Sequence, residues 1–253
     1  MQHSSTHLFF VPGLWANTQD YSYLLMQLAK KFDVNNKNIY KLECSDLISK
    51  SKNIIKEYSY KGCYVRFQKL FYKQLRRIND GDTVIFVGHS LGGAVVLGLG
   101  ASSRFNDLID ERNFKVKLIA LNSGGIKINS IWPVIKYWTI IPLMYLLSRY
   151  TVGSIIENIL QEVLKNGIFM PIKHFHEIVN SAFLEILYDS NFAKSKNIKT
   201  MIVNSTNEEL IPMYAQEQII MLVKPDEVVK VQGLHGWPIN FNHVDEFIEL
   251  IRS

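Results

Sequence analysis

Gly88-His89-Ser90-Leu91-Gly92 follows directly on the run Thr83-Val84-Ile85-Phe86-Val87 and leads into the small-residue segment 93–101. A strand, a Gly-x-Ser-x-Gly turn and a helix, in that order, make a nucleophile elbow. The turn is so sharp that its serine is held in a strained backbone conformation with the hydroxyl exposed. The flanking glycines permit it, because strand and helix must pass almost in contact. A serine hydroxyl is a poor nucleophile until a base takes its proton, so Ser90 requires a histidine within hydrogen-bond reach. The chain offers seven histidines. His3 and His7 precede the expected core, and His89 is directed away from the serine. His174 and His176 fall in a long insertion, and His235 and His243 lie near the end.

The elements that must position these groups alternate along the chain. Leu8-Phe9-Phe10-Val11 is a wholly apolar run stopped by Pro12-Gly13 and predicts a buried strand. Tyr21, Leu24, Leu25, Leu28 and Phe32 have helical spacing over 20–32, and 38–42 is a second strand. The Ser- and Lys-rich stretch 43–62 reads as a loop with one short helix, and 64–78 as a helix. After the elbow come a strand at 116–121, an insertion over 126–195, a strand at 199–204 and a helix at 213–222. A strand at 227–231 and a helix at 241–251 close the chain. Strands separated by helices mean a parallel sheet covered on both faces, with ligands bound beyond the carboxyl ends of the strands. His235 stands in Gly233-Leu234-His235-Gly236-Trp237-Pro238, immediately after the last predicted strand.

Composition narrows the classes. A chain of 253 residues with 47% hydrophobic and 20% charged residues supplies a full core and no disordered signature. The net charge of +5 comes from scattered residues such as Lys30-Lys31 and Arg76-Arg77, which predicts a solvated surface and no nucleic-acid partner. Cys44 and Cys63 have no metal-binding spacing and point to a reducing compartment. The first residues lack a secretory pattern, and no stretch offers ~20 uninterrupted apolar residues, so a cytoplasmic protein is expected. His174 and His176 lack partnering Cys or carboxylate spacing, and neither a metal nor another cofactor is expected.

In the order of its landmarks the chain resembles the α/β-hydrolase superfamily, on the compact lipase, esterase and thioesterase side. They are the Phe10-Val11-Pro12-Gly13-Leu14-Trp15 turn, the Gly88-to-Gly93 elbow, an acid-bearing turn near Glu208, and His235. The resemblance implies an α/β fold with a helical lid, formed by residues 1–125 and 196–253 with the lid at 126–195, and without the family's usual first hairpin. It implies Ser90 as nucleophile and His235 as base, with His243 in reserve. Ser205-Thr206-Asn207-Glu208-Glu209-Leu210-Ile211-Pro212 resembles the family's Gly-x-x-Asp-x-x-Val-Pro turn. Anchoring on Pro212 puts Glu208 at the acid position, with Glu209 as the alternative. The implied oxyanion donors are the N–H groups of Leu91 and Leu14, with Trp15 next in line. Pro12 stands where the family commonly has histidine. Epoxide and haloalkane hydrolases carry Asp where Ser90 stands, and are disfavoured.

The run 131–147 contains Trp132, Tyr137, Trp138, Tyr145 and many aliphatic residues, too apolar for an exposed surface helix. Two amphipathic lid helices are predicted over 157–164 and 175–187. Trp15, His89, Trp138 and Trp237 are the candidates to line a substrate site. The function expected is hydrolysis of an ester or thioester with a lipophilic acyl group, free or on an acyl carrier, and a peripheral membrane contact through the lid. The competing expectation is a lipid- or protein-binding module that keeps the fold without the chemistry.

Overall fold

The computed structural model describes residues 4–14, 16–42, 60–128, 164, 182–188 and 194–251. They form a six-stranded parallel sheet in the order β2-β1-β3-β4-β5-β6. The strands are β1 (Thr6–Val11), β2 (Ile39–Lys41), β3 (Thr83–His89), β4 (Lys115–Leu121), β5 (Ile198–Ser205) and β6 (Glu227–Val231). The chain runs outward from β1 to β2, then returns to the other side of β1 for β3 and continues to β6. That reversal makes the gap beyond the carboxyl ends of β1 and β3 the place where such sheets bind ligands. The register pairs Val11 with Gly88, so the turn after β1 and the elbow after β3 leave the sheet side by side.

The unbroken apolar runs of β1 and β3 have a direct cause. Leu8, Phe10, Ile85 and Val87 point to one face and pack with Leu24, Leu28, Val244 and Phe247. Phe9, Val11, Val84 and Phe86 point to the other and pack with Phe67, Phe71, Val95 and Phe105. A strand covered on both faces has no polar position to offer. The first face is covered by α1 (Ser22–Lys31) and the C-terminal helix 241–250. The second is covered by α2 (Tyr60–Leu75), α3 (Leu91–Gly100) and α4 (Ser103–Glu111).

Helix α4 has no counterpart in the sequence reading. It is short and carries Arg104, Asp107, Asp110 and Glu111 on its outer side, yet its signals are local. The Ser102 hydroxyl caps it by accepting the Phe105 N–H, and Phe105 and Ile109 bury a two-residue stripe. Beyond its end, Arg112 donates to the Leu75 and Ile78 carbonyls at 2.9 and 2.6 Å, tying it to the last turn of α2.

Most of the insertion 126–195 lies outside the described residues, as do nearly all of the helix expected at 157–164 and the first part of that expected at 175–187. The described remainder of the latter is α5 (Phe183–Tyr188). It seats on α3 through Phe183, whose ring lies where a Gly98 side chain would be, and Tyr188 donates to the Leu97 carbonyl at 2.7 Å. After β5 comes α6 (Met213–Val223), and after β6 comes α7 (Phe241–Leu250). No helix among the described residues is long and apolar enough to cross a membrane.

Candidate active site

Ser90 joins β3 to α3 with φ 54° and ψ −113°, a conformation that costs a non-glycine residue about 1–3 kcal/mol. The surrounding main chain enforces it. The Ser90 N–H donates to the Leu121 carbonyl at 2.9 Å, and its own carbonyl accepts from Ala94 and Gly124 N–H at 3.2 Å each. Gly88 faces the Gly92 carbonyl, and Gly92 faces the carbonyls of Val11 and Pro12, all at separations no Cβ could occupy. The turn after β1 is thereby drawn onto the elbow. A Cβ placed on Gly13 would lie 3.4 Å from Ser90 Cβ.

Leu91 opens α3, so its N–H belongs to the first helical turn, where main-chain donors have no intrahelical acceptor and the helix dipole is positive. Leu14 follows Gly13 in the neighbouring turn and packs, half-buried, against the α3 face of the core. These are the two positions the resemblance assigns to the oxyanion donors. Trp15 and Trp138 lie outside the described residues.

The loop after β6 brings His235 to Glu208 from the loop after β5. His235 Nδ1 lies 2.8 Å from Glu208 Oε1 and 3.0 Å from Oε2, with side chains only 10% and 2% exposed. A carboxylate so buried must be satisfied by donors. Glu208 Oε1 also accepts the Leu210 and Ile211 N–H groups at 2.9 and 3.1 Å, and Oε2 the Ser205 hydroxyl at 3.2 Å. Burial alone would lower the His235 pKa, but the charge and hydrogen bond of Glu208, joined by the charge of Glu209, outweigh it and raise it. Because the carboxylate accepts, Nδ1 carries the proton of the neutral ring and Nε2 holds the lone pair a base needs. Among the described residues Ser90 Oγ has no hydrogen-bond partner, so its contact with His235 Nε2 is not closed in this structure. Such bonds commonly tighten only when substrate binds.

Glu209, the alternative acid, has a different partner. Its Oε2 accepts the main-chain N–H of His235 at 2.8 Å. Its pKa is raised by burial and by the neighbouring Glu208 charge, against the opposing pull of His235. On the other side of the residue, the His235 carbonyl accepts from His89 Nε2 at 2.9 Å and from Asn122 Nδ2 at 3.0 Å. Asn122 also binds Ser205, whose hydroxyl serves Glu208.

His89 and Trp237, expected to line a substrate site, both lie buried in the structure. His89 is 5% exposed and uses both ring nitrogens internally, one on Tyr21 and one on the His235 carbonyl. Trp237 is 1% exposed and packs edge-on against Phe247, inside the core below α7. His243, the reserve base, sits on α7 with Nδ1 3.9 Å from Glu246. No three metal-ligating side chains converge among the described residues, and His174 and His176 lie outside them.

The fold has known counterparts. A lipase-esterase related protein from Clostridium acetobutylicum aligns at a TM-score of 0.63 and 16% identity, over 99% of this chain and 96% of its own. The chain has the α/β-hydrolase fold. A peroxisomal α/β-hydrolase from Saccharomyces cerevisiae aligns at a TM-score of 0.60 and 14% identity, over 99% of this chain and 78% of that one. The thioesterase domain of the curacin biosynthetic pathway aligns at 0.59 and 13% identity, over 98% and 91%. In sequence, residues 2–114 match the family model described as "Putative serine esterase (DUF676)". That stretch of the α/β-hydrolase fold holds the turn after β1 and the elbow, and ends before Glu208 and His235. No curated protein sequence matches the chain.

Proposed function

We propose that the protein is a serine hydrolase that cleaves a carboxylic ester or thioester through an acyl-enzyme, with Ser90, His235 and Glu208 as its triad. The observation that carries this reading is the hydrogen bond from His235 to the buried Glu208 carboxylate, at the rim where Ser90 occupies its strained turn. Ser90 Oγ attacks the acyl carbon as His235 Nε2 takes its proton. The N–H groups of Leu91 and Leu14 stabilise the oxyanion, and each such donor is worth ~10²–10³-fold in turnover. His235 then protonates the departing alkoxide or thiolate. A water, deprotonated by the same ring, attacks the acyl-enzyme, and collapse of the second tetrahedral intermediate returns the proton to Ser90 and frees the acid. Glu208 holds the tautomer and stabilises the imidazolium.

The acyl group we assign is lipophilic, because the insertion 126–195 is rich in aromatic and aliphatic residues and would cap the site in this fold. The same apolar lid would favour contact with a membrane surface or with the acyl chain on a carrier protein. Likeness of fold to a thioesterase domain keeps thioesters beside esters in the proposal.

The decisive experiment is labelling with a fluorophosphonate together with hydrolysis of short p-nitrophenyl esters. The native chain should label and turn over, and Ser90→Ala should do neither. A folded native chain that takes no label, or equal labelling of Ser90→Ala, overturns the reading in favour of a binding module. A series of acyl esters and thioesters of increasing chain length then tests the lipophilic assignment, with a rising kcat/KM as the expected result.

A further inference from the structure

The buried polar groups behind the elbow have only one consistent set of hydrogen-bond directions. A carbonyl can only accept, so His89 Nε2 carries the proton it gives to the His235 carbonyl at 2.9 Å. The neutral ring then presents a lone pair on Nδ1, which takes the hydroxyl proton of Tyr21 at 2.7 Å. Tyr21 Oη in turn accepts the N–H of Gly13 at 3.3 Å. The chain of donors runs from Gly13 to Tyr21 to His89 to His235, with steps that cross 8, 68 and 146 positions of sequence. It links the turn beside the elbow to the main chain of the base. Tyr21 is 1% exposed, so water does not compete for these bonds. Burial, followed by the nearby His235, holds the His89 pKa well below the ordinary histidine value, which keeps the ring neutral and the direction fixed.

We propose that Tyr21 and His89 are positioning residues, a buried strut that sets the spacing between the Gly13-Leu14 turn and His235 so that amide donor and imidazole meet at one tetrahedral centre. The proposal rests on reading Ser90 and His235 as nucleophile and base. The strut meets the chemistry through the main chain of Gly13 and His235 and through the His89 ring, whose centroid lies 4.9 Å from that of His235, so its loss misplaces transition-state groups without removing a substrate contact. Misplacement of about 1 Å costs on the order of 10²-fold in rate. Glu209 on the His235 N–H and Asn122 on its carbonyl complete the grip on the main chain at both sides of that residue.

Tyr21→Phe tests this, because it removes the hydroxyl and keeps the ring, which packs against Phe10. With active sites titrated by fluorophosphonate, kcat per site should fall roughly 10- to 100-fold with KM unchanged. A merely structural role would lower the thermal midpoint and the titratable fraction while leaving kcat per site intact, and that result overturns the proposal. An independent measurement is the ¹⁵N spectrum of the His89 ring. It should show a protonated Nε2 and a bare Nδ1 that do not titrate between about pH 5 and 8, with Nδ1 shifted in Tyr21→Phe. A His89 that titrates there, or a spectrum unmoved by Tyr21→Phe, overturns the strut. If the native chain turns over no ester, the assignment of Ser90 falls, and the spectrum still judges the strut by itself.

Discussion

A buried histidine–carboxylate pair stands at each end of the sheet, and the two differ in what surrounds the second ring nitrogen. At the amino end, ahead of β3, Asp82 lies 3.1 Å from His7 Nε2 and accepts the Ser5 and Asn79 N–H groups at 2.8 and 3.3 Å. The remaining nitrogen of His7 faces the Tyr40 hydroxyl at 3.4 Å, so that ring is enclosed by structure on both sides. At the carboxyl end Glu208 is likewise held by main-chain donors, but His235 keeps Nε2 without a partner among the described residues. The pairing is a way of fastening loops wherever it occurs. On the proposed reading it serves proton transfer only at the carboxyl end, where the free nitrogen shares a rim with a serine on a strained turn.

The largest contrast should come from deleting each ring. His235→Ala should lower turnover by at least ~10⁴-fold. His7→Ala should leave kcat per titrated site unchanged and cost roughly 1–3 kcal/mol in urea unfolding, since it strands a buried carboxylate. Equal loss of turnover in both variants would erase the distinction between the two ends. Glu208→Gln is expected next, at ~10²–10⁴-fold in kcat with the fold retained.

The same variant carries a pH signature. Glu208 and Glu209 raise the His235 pKa against the effect of burial, so the acid limb of kcat/KM should lie above the ordinary histidine value of 6.5. Glu208→Gln should move that limb to lower pH, and Glu209→Gln should move it the same way by less. Stability follows with a definite sign. A raised histidine pKa contributes stability that is complete below 6.5 and is lost as pH rises through the folded value. The stability gap between native and Glu208→Gln chains should therefore be widest below 6.5 and narrow above it. His89 acts oppositely. Its depressed pKa means the unfolded chain binds the proton more readily, so its contribution to stability falls as pH drops below 6.5.

Residues dictated by local pattern were readable from the chain. Leu8 to Val11 and Val84 to Val87 announce themselves because both faces of those strands are buried, and Ser90 because Gly88 and Gly92 answer a close approach that glycine alone tolerates. His235 stands out because it follows the last strand, and Glu208 because its turn, anchored on Pro212, resembles the acid-bearing turn of the α/β-hydrolases. Helix α4 escaped because its four charged residues mask a stripe of only Phe105 and Ile109. The contribution of Glu209 was hidden for another reason, since its partner is a peptide N–H that carries no residue type. Tyr21 reads as one more apolar member of a helical pattern, and His89 as a residue facing substrate. What corrects both is a pair of contacts spanning 68 and 146 positions, which no window of sequence contains.

If Ser90 is the nucleophile proposed, its positive φ sets heat tolerance against turnover at a single position. Glycine adopts that conformation without penalty, so Ser90→Gly should melt at a higher temperature than the native chain, by a margin reflecting the roughly 1–3 kcal/mol of relieved strain. The proposed reading thus sets the hydroxyl that attacks substrate against the backbone ease that glycine would restore.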